Sequence, residues 1–135
     1  YPLDEASSFS GSLSKWPTYS AEDLSYMFFN ATNFDDNLSG WDTRKVTSMA
    51  GMFNEAHSFR GDGLENWDTS SVEDMGYMFK GAASFDGILT SWNTGKVKSM
   101  TRMLYEATSF TGGVLNWDVR RVTDMSFMFC KFLSV

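Results

Sequence analysis

The sequence predicts an α/β repeat fold: a solenoid of five coils, each a short parallel strand followed by a short helix. Three observations carry that prediction. Tryptophan recurs at positions 16, 41, 67, 92 and 117, about every 25 residues. Aligning the chain on these residues brings the other large apolar residues into register. Beyond each Trp the apolar residues then fall at three- and four-residue spacing, as on one face of a helix.

The strand is placed on the segment around the Trp. Leu64, Glu65, Asn66, Trp67, Asp68 and Thr69 are too few for a helix and lie between two turns, so they are expected to pair in parallel with their copies in adjacent coils. The helix is placed over 72–82, where Val72, Met75, Met78, Phe79 and Ala82 form the stripe. Ser20 with Asp23, and Ser71 with Asp74, supply helix-start signals, and Gly81 interrupts one copy near its end. Leu13, Leu38, Leu64, Leu89 and Val114 precede the tryptophans by three residues, and Phe34, Phe59, Phe85 and Phe110 stand further upstream. Positions that recur are apolar and those that drift are polar, so recurrence is read as burial of one side of each coil against its neighbours. The five tryptophans are assigned to the core, and the methionines to core filling and not to a copper or haem site. One extra residue, within Arg60-Gly61-Asp62-Gly63, is expected in a loop. The whole of 1–135 reads as a single solenoid domain, with coils starting near each Trp, and as a segment of a longer array or a unit docked at its ends.

Composition narrows the function. Seventeen acidic against eleven basic residues give a net charge of -6, which argues against nucleic acid as a partner. No run approaches the roughly 18 apolar residues of a spanning helix, and Tyr1-Pro2-Leu3-Asp4 lacks the layout of a secretion signal, so a soluble segment is expected. Cys130 and His57 are the only cysteine and histidine, which removes internal disulfides, thiolate clusters and two-imidazole chemistry. A nucleophilic catalyst would need a base beside a Ser or Cys, and neither His57 nor Cys130 has a suitable neighbour in sequence. No catalytic residue, no cofactor and no metal is assigned, and the chain is read as a non-enzyme.

Leu38-Ser39-Gly40-Trp41-Asp42-Thr43, followed by Val46-Thr47-Ser48-Met49-Ala50-Gly51-Met52-Phe53, resembles the W-D-T-x-x-V-T-x-M-x-x-M-F repeat of bacterial-surface leucine-rich repeats. This is the BspA-like group, including the DUF285 family, and the likeness covers residues 6–129 in tandem copies. The resemblance implies a leucine-rich-repeat-like solenoid on a cell-surface or secreted protein with adhesive or protein-recognition roles, and it supplies no catalytic motif. The other location open to the chain is the soluble face of a large intracellular or organellar complex. Both ends depart from the pattern: Pro17 and Ala21 make the first coil atypical, and Phe132, Leu133 and Val135 place apolar residues where a cap should be polar.

Four sets of residues are candidates for sites. Asp42, Asp68, Asn93 and Asp118 follow the tryptophans as a polar ladder; calcium needs about six to eight oxygens, so turns that satisfy their own backbone are the favoured reading. Arg44, Lys45, Lys96, Lys98, Arg120 and Arg121 gather at one place in the repeat and can form a positive strip for an anionic glycan or an acidic protein face, or an ordinary solvated face balanced by Glu73, Asp74 and Asp124. Tyr26, Phe29, Tyr77, Tyr105 and Phe127 occupy drifting positions, where aromatics either anchor a partner or add packing. Phe132 and Leu133 form the apolar end, a candidate for end-to-end or subunit docking. The expected function is therefore protein or glycan recognition on a repeat scaffold, with a structural subunit of a larger assembly as the alternative.

Overall fold

Backbone amides between Met75 and Ala82 show how the chain is built. In the computed structural model, which describes residues 13–112 and 116–129, the amides of Met75, Tyr77, Phe79 and Gly81 donate to the carbonyls of Ser99, Thr101, Met103 and Tyr105 at 2.8–3.0 Å. The alternate amides of Met78, Lys80 and Ala82 close turns onto Met75, Tyr77 and Phe79 at 3.1–3.3 Å. Half of the amides thus bind the next layer of chain and half bind their own turn. An α-helix would send each of them four residues back. The same alternation joins Leu24, Tyr26, Phe28 and Asn30 to Ser48, Ala50, Met52 and Asn54, and Met100, Arg102 and Leu104 to Asp124, Ser126 and Met128. Isolated parallel bridges run Asp23–Ser48–Asp74–Ser99–Asp124 up the pile.

The expected α/β solenoid of strand-and-helix coils is overturned. Among the described residues there is no α-helix and no strand longer than a single bridge, and the only regular element is a 3-10 turn over Leu64–Asn66. That turn occupies the first half of the predicted strand, and the predicted helix over 72–82 is a run of turns. The physical reason lies in backbone sign. Tyr77 (φ 61°) and Gly81 (φ 72°) sit in the left-handed region, which ends any right-handed helical run. Equivalent positions repeat the feature at Tyr26, Gly51, Arg102 and Phe127, and at Asn30, Glu55 and Glu106, with φ between 52° and 62°. Each non-glycine residue there costs roughly 1–2 kcal/mol, offset by the hydrogen bonds to the adjacent layer. The supposed helix-start residues have other work: Asp23 and Asp74 accept the amides of Ser25 and Gly76 at 2.8 Å, and the Ser71 hydroxyl donates to the Arg44 carbonyl.

Stacked rings fill the interior. Trp41, Trp67, Trp92 and Trp117 lie 6.2–6.4 Å apart in near-parallel planes, beside rows Phe28–Phe53–Phe79 and Phe34–Phe59–Phe85–Phe110. Each indole N–H donates to a leucine carbonyl one layer back: Trp41 to Leu13, Trp67 to Leu38, Trp92 to Leu64 and Trp117 to Leu89, at 2.8–3.0 Å. The same carbonyls accept the amides of Trp16, Trp41, Trp67 and Trp92. Both lone pairs of each leucine oxygen are thereby used. Buried Thr43, Thr69 and Thr94 add hydroxyl bonds to the carbonyls of Asp68, Asn93 and Asp118. Trp16 departs from the core assignment: it is 41% exposed and stacked on Trp41 at 6.5 Å. The extra residue near position 62 is taken up where Gly61 and Gly63 both adopt φ 94°.

Candidate functional site

The polar ladder beside the tryptophans is a row of Asx turns. Asp42, Asp68, Asn93 and Asp118 each accept, through Oδ1, the amide two residues on, at 2.9–3.1 Å. Arg44 folds back on Asp42 (Nη2 to Oδ2, 2.7 Å) and Arg120 on Asp118 (2.8 Å). The Arg120 side chain and amide together hold the Asp118 carboxyl down to about 2; Arg44 lowers Asp42 in the same way, and the Ser70 hydroxyl and amide lower Asp68. These carboxylates are committed to their own turns, and no group of three or more His, Cys, Asp or Glu among the described residues is placed to hold a metal ion.

The six basic candidates therefore divide by what they touch. Arg44 and Arg120 clamp turns, and Lys98 pairs with Glu73 at 2.9 Å, lowering that carboxyl. Lys45, Lys96 and Arg121 are exposed and form no ion pair among the described residues. Between Arg44 and Arg120 the equivalent side chains shrink to Ser70 and Gly95, and there the surface opens into a groove of about 580 Å³.

The aromatic candidates fall into two groups. Tyr26 meets Phe29 edge-on at 5.9 Å. Further along, the Arg102 guanidinium lies 4.9 Å from the Phe127 ring centre, 5.9 Å from Tyr105 and 6.0 Å from Tyr77, and its Nη1 donates to the Tyr77 hydroxyl at 3.3 Å. Tyr105 also meets Phe127 edge-on at 6.5 Å and faces the Lys80 ammonium at 5.7 Å. Lys80 pairs with Glu55, which also bonds His57. Tyr77 and Tyr105 are partly exposed and Phe127 is 57% exposed.

Sequence reasoning did not single out Arg102, the centre of this patch. The available signal was that Arg102 shares its slot in the layer with Tyr26, Tyr77 and Phe127, so stacking was bound to place a cation between rings. Of the apolar end, Met125 and Phe129 are exposed while Met128 is buried; Phe132 and Leu133 lie outside the described residues.

These features define the chain by its architecture, layers of turns joined in parallel at a spacing of about 25 residues. The chain belongs to the family described as "Mycoplasma protein of unknown function, DUF285", whose family model matches residues 2–63 and 38–134. No curated protein matches the chain, and no solved structure does. No helix among the described residues is long and apolar enough to cross a membrane.

Proposed function

We propose that this protein is a non-enzymatic recognition module that binds a protein or glycan partner through the side chains that vary between its layers. The observation that carries the proposal is the Arg102 patch. A guanidinium held among Tyr77, Tyr105 and Phe127 is pre-ordered at little further entropic cost, and Arg and Tyr are the residue types that dominate interface energetics. Arg102 forms no ion pair among the described residues, so its charge is open to a partner. Most of the recurring apolar side chains are spent on the core, while Tyr26, Tyr77, Tyr105 and Phe127 at the varied positions reach solvent, the division expected of a scaffold that presents a surface.

Photo-reactive residues placed at Tyr105 and Phe127, with Glu65 as control, test the reading in cells that make the protein. Both patch positions should cross-link the same partner, displaced by free wild-type chain but not by Arg102→Ala. A cross-linking pattern identical at Glu65 overturns the proposal. Cross-links confined to Met125 and Phe129 support instead a structural subunit held by its end. Display at the cell surface or secretion belongs to the same proposal, and protease shaving of intact cells checks it.

A further inference from the structure

We propose that the groove between Ser70 and Arg121 binds an anionic polysaccharide, one carrying carboxylates or sulfates along a sugar chain. The proposal rests on the recognition reading above and names a ligand class for a different part of the surface. Four observations support it. First, Lys45, Lys96 and Arg121 stand at the same place in their layers, four residues after a Trp, with Ser71 between them. None of the three is neutralised by an ion pair among the described residues, although the chain carries a net charge of -6. Unpaired cations in a row on an acidic protein attract an extended anion without attracting polyanions to the rest of the surface.

Second, the groove exists because side chains are missing from it. Arg44 and Arg120 fill the slot three residues after Trp, whereas Ser70 and Gly95 leave it open. Gly95 does not owe its place to backbone sign, since it is not among the positive-φ glycines. A Cβ added there would meet Asn93 Oδ1 at 3.2 Å and Asp118 Oδ2 at 3.8 Å, so a larger side chain could enter with small shifts and would fill the groove.

Third, the ladder changes from aspartate to amide at the groove. Asn93 removes the negative charge that Asp42, Asp68 and Asp118 carry at the equivalent position. The one carboxylate left in the lining, Asp118, is already clamped by Arg120 at 2.8 Å. Fourth, apart from the clamped Asp118 the lining is made of hydroxyl, amide, glycine and cationic groups, with no apolar or aromatic side chain. An acidic peptide would find no pocket for an anchoring side chain, while a sugar chain presents hydroxyls and anions that match these donors.

Titration calorimetry at low and at physiological salt tests this with dextran sulfate and polygalacturonate, against unmodified dextran and polyglutamate. Dextran sulfate and polygalacturonate should bind, more weakly as salt rises, and dextran should not. The Lys96→Ser/Arg121→Ser double variant should weaken binding about tenfold or more; serine already occupies this slot at Ser71, so the fold accommodates it. Gly95→Gln keeps the charge and fills the groove, and it should weaken binding to a similar degree. Unchanged affinity in Gly95→Gln overturns the groove in favour of a diffuse field. Polyglutamate binding as tightly as polygalacturonate overturns the polysaccharide in favour of an acidic protein. If no anionic polysaccharide binds while cross-linking at Phe127 still captures its partner, this inference fails and the recognition reading stands; if both fail, both are wrong.

Discussion

Truncating Trp67 removes the element that ties three layers together. Its ring is 4% exposed, lies 6.2 Å from Trp41 and 6.3 Å from Trp92, and donates its indole N–H to the Leu38 carbonyl at 3.0 Å. Burying and then deleting a side chain of this size costs about 3–5 kcal/mol when neighbours collapse only partly. Rings stacked on both faces cannot move inward without parting from their own layers, which places Trp67→Ala at the upper end, about 4–5 kcal/mol. Trp67→Phe separates the parts. Leu38 keeps the amide of Trp41 at 3.1 Å, so its oxygen is not orphaned, and the lost bond is worth about 0.5–1.5 kcal/mol. With the smaller ring, Trp67→Phe should cost about 1–3 kcal/mol in all. Urea unfolding followed by circular dichroism measures both, with exposed Glu65→Ala expected within about 0.5 kcal/mol of wild type. A loss below about 1 kcal/mol for Trp67→Ala would refute the stacked core.

Asp118 titrates at about 2 in the folded chain, below its ordinary 3.8, because Arg120 binds it. That stabilisation is complete above about pH 4 and is lost as pH falls through about 2. Carboxyl NMR should show the low midpoint, and Arg120→Gln should raise it toward 3.8; a midpoint unmoved by the substitution contradicts the clamp. Gly81→Ala forces a Cβ into a left-handed position against the Glu55 carboxylate and should cost about 1–2 kcal/mol, whereas Glu106→Gly, at the equivalent left-handed position (φ 60°), should gain up to about 1 kcal/mol. Unfolding midpoints that move in the same direction for both would contradict the backbone account. Chelation with EDTA should leave the melting temperature unchanged, since the ladder oxygens serve their own turns; a fall restored by calcium would contradict that assignment.

Burial was legible in the sequence where secondary structure was not. Val72, Met75, Met78, Phe79 and Ala82 were placed on one inward face, and all five are fully buried. Their spacing could not distinguish a helix from successive turns, because three-residue steps return side chains to the same side in both. The deciding fact is the left-handed backbone at Tyr26, Tyr77, Arg102 and Phe127, residue types that carry no mark of it. Gly51 stands in the same slot, and Gly81 in the second left-handed slot shared with Asn30, Glu55 and Glu106; these two glycines are the visible trace of it. The Asx turns were legible because Asp and Asn after each Trp suit that geometry. The Arg102 patch was legible only in part, since its rings were noted and its cation was not; a contact across layers depends on register, which one strand of sequence states only indirectly. The division of the basic residues into clamped and free ones depended on which carboxylate each side chain reaches, as with Arg44 on Asp42 and Lys98 on Glu73.

The amide of Phe79 tests the central structural claim most directly. It donates to the Met103 carbonyl of the next layer at 2.9 Å, whereas a helix over 72–82 would send it to Met75. Scalar couplings measured across hydrogen bonds by NMR report which carbonyl an amide binds. The layered account predicts a coupling from Phe79 nitrogen to the Met103 carbonyl carbon, repeated from Phe53 to Met78 and from Phe28 to Met52. A coupling from Phe79 to Met75, with none to Met103, would contradict it.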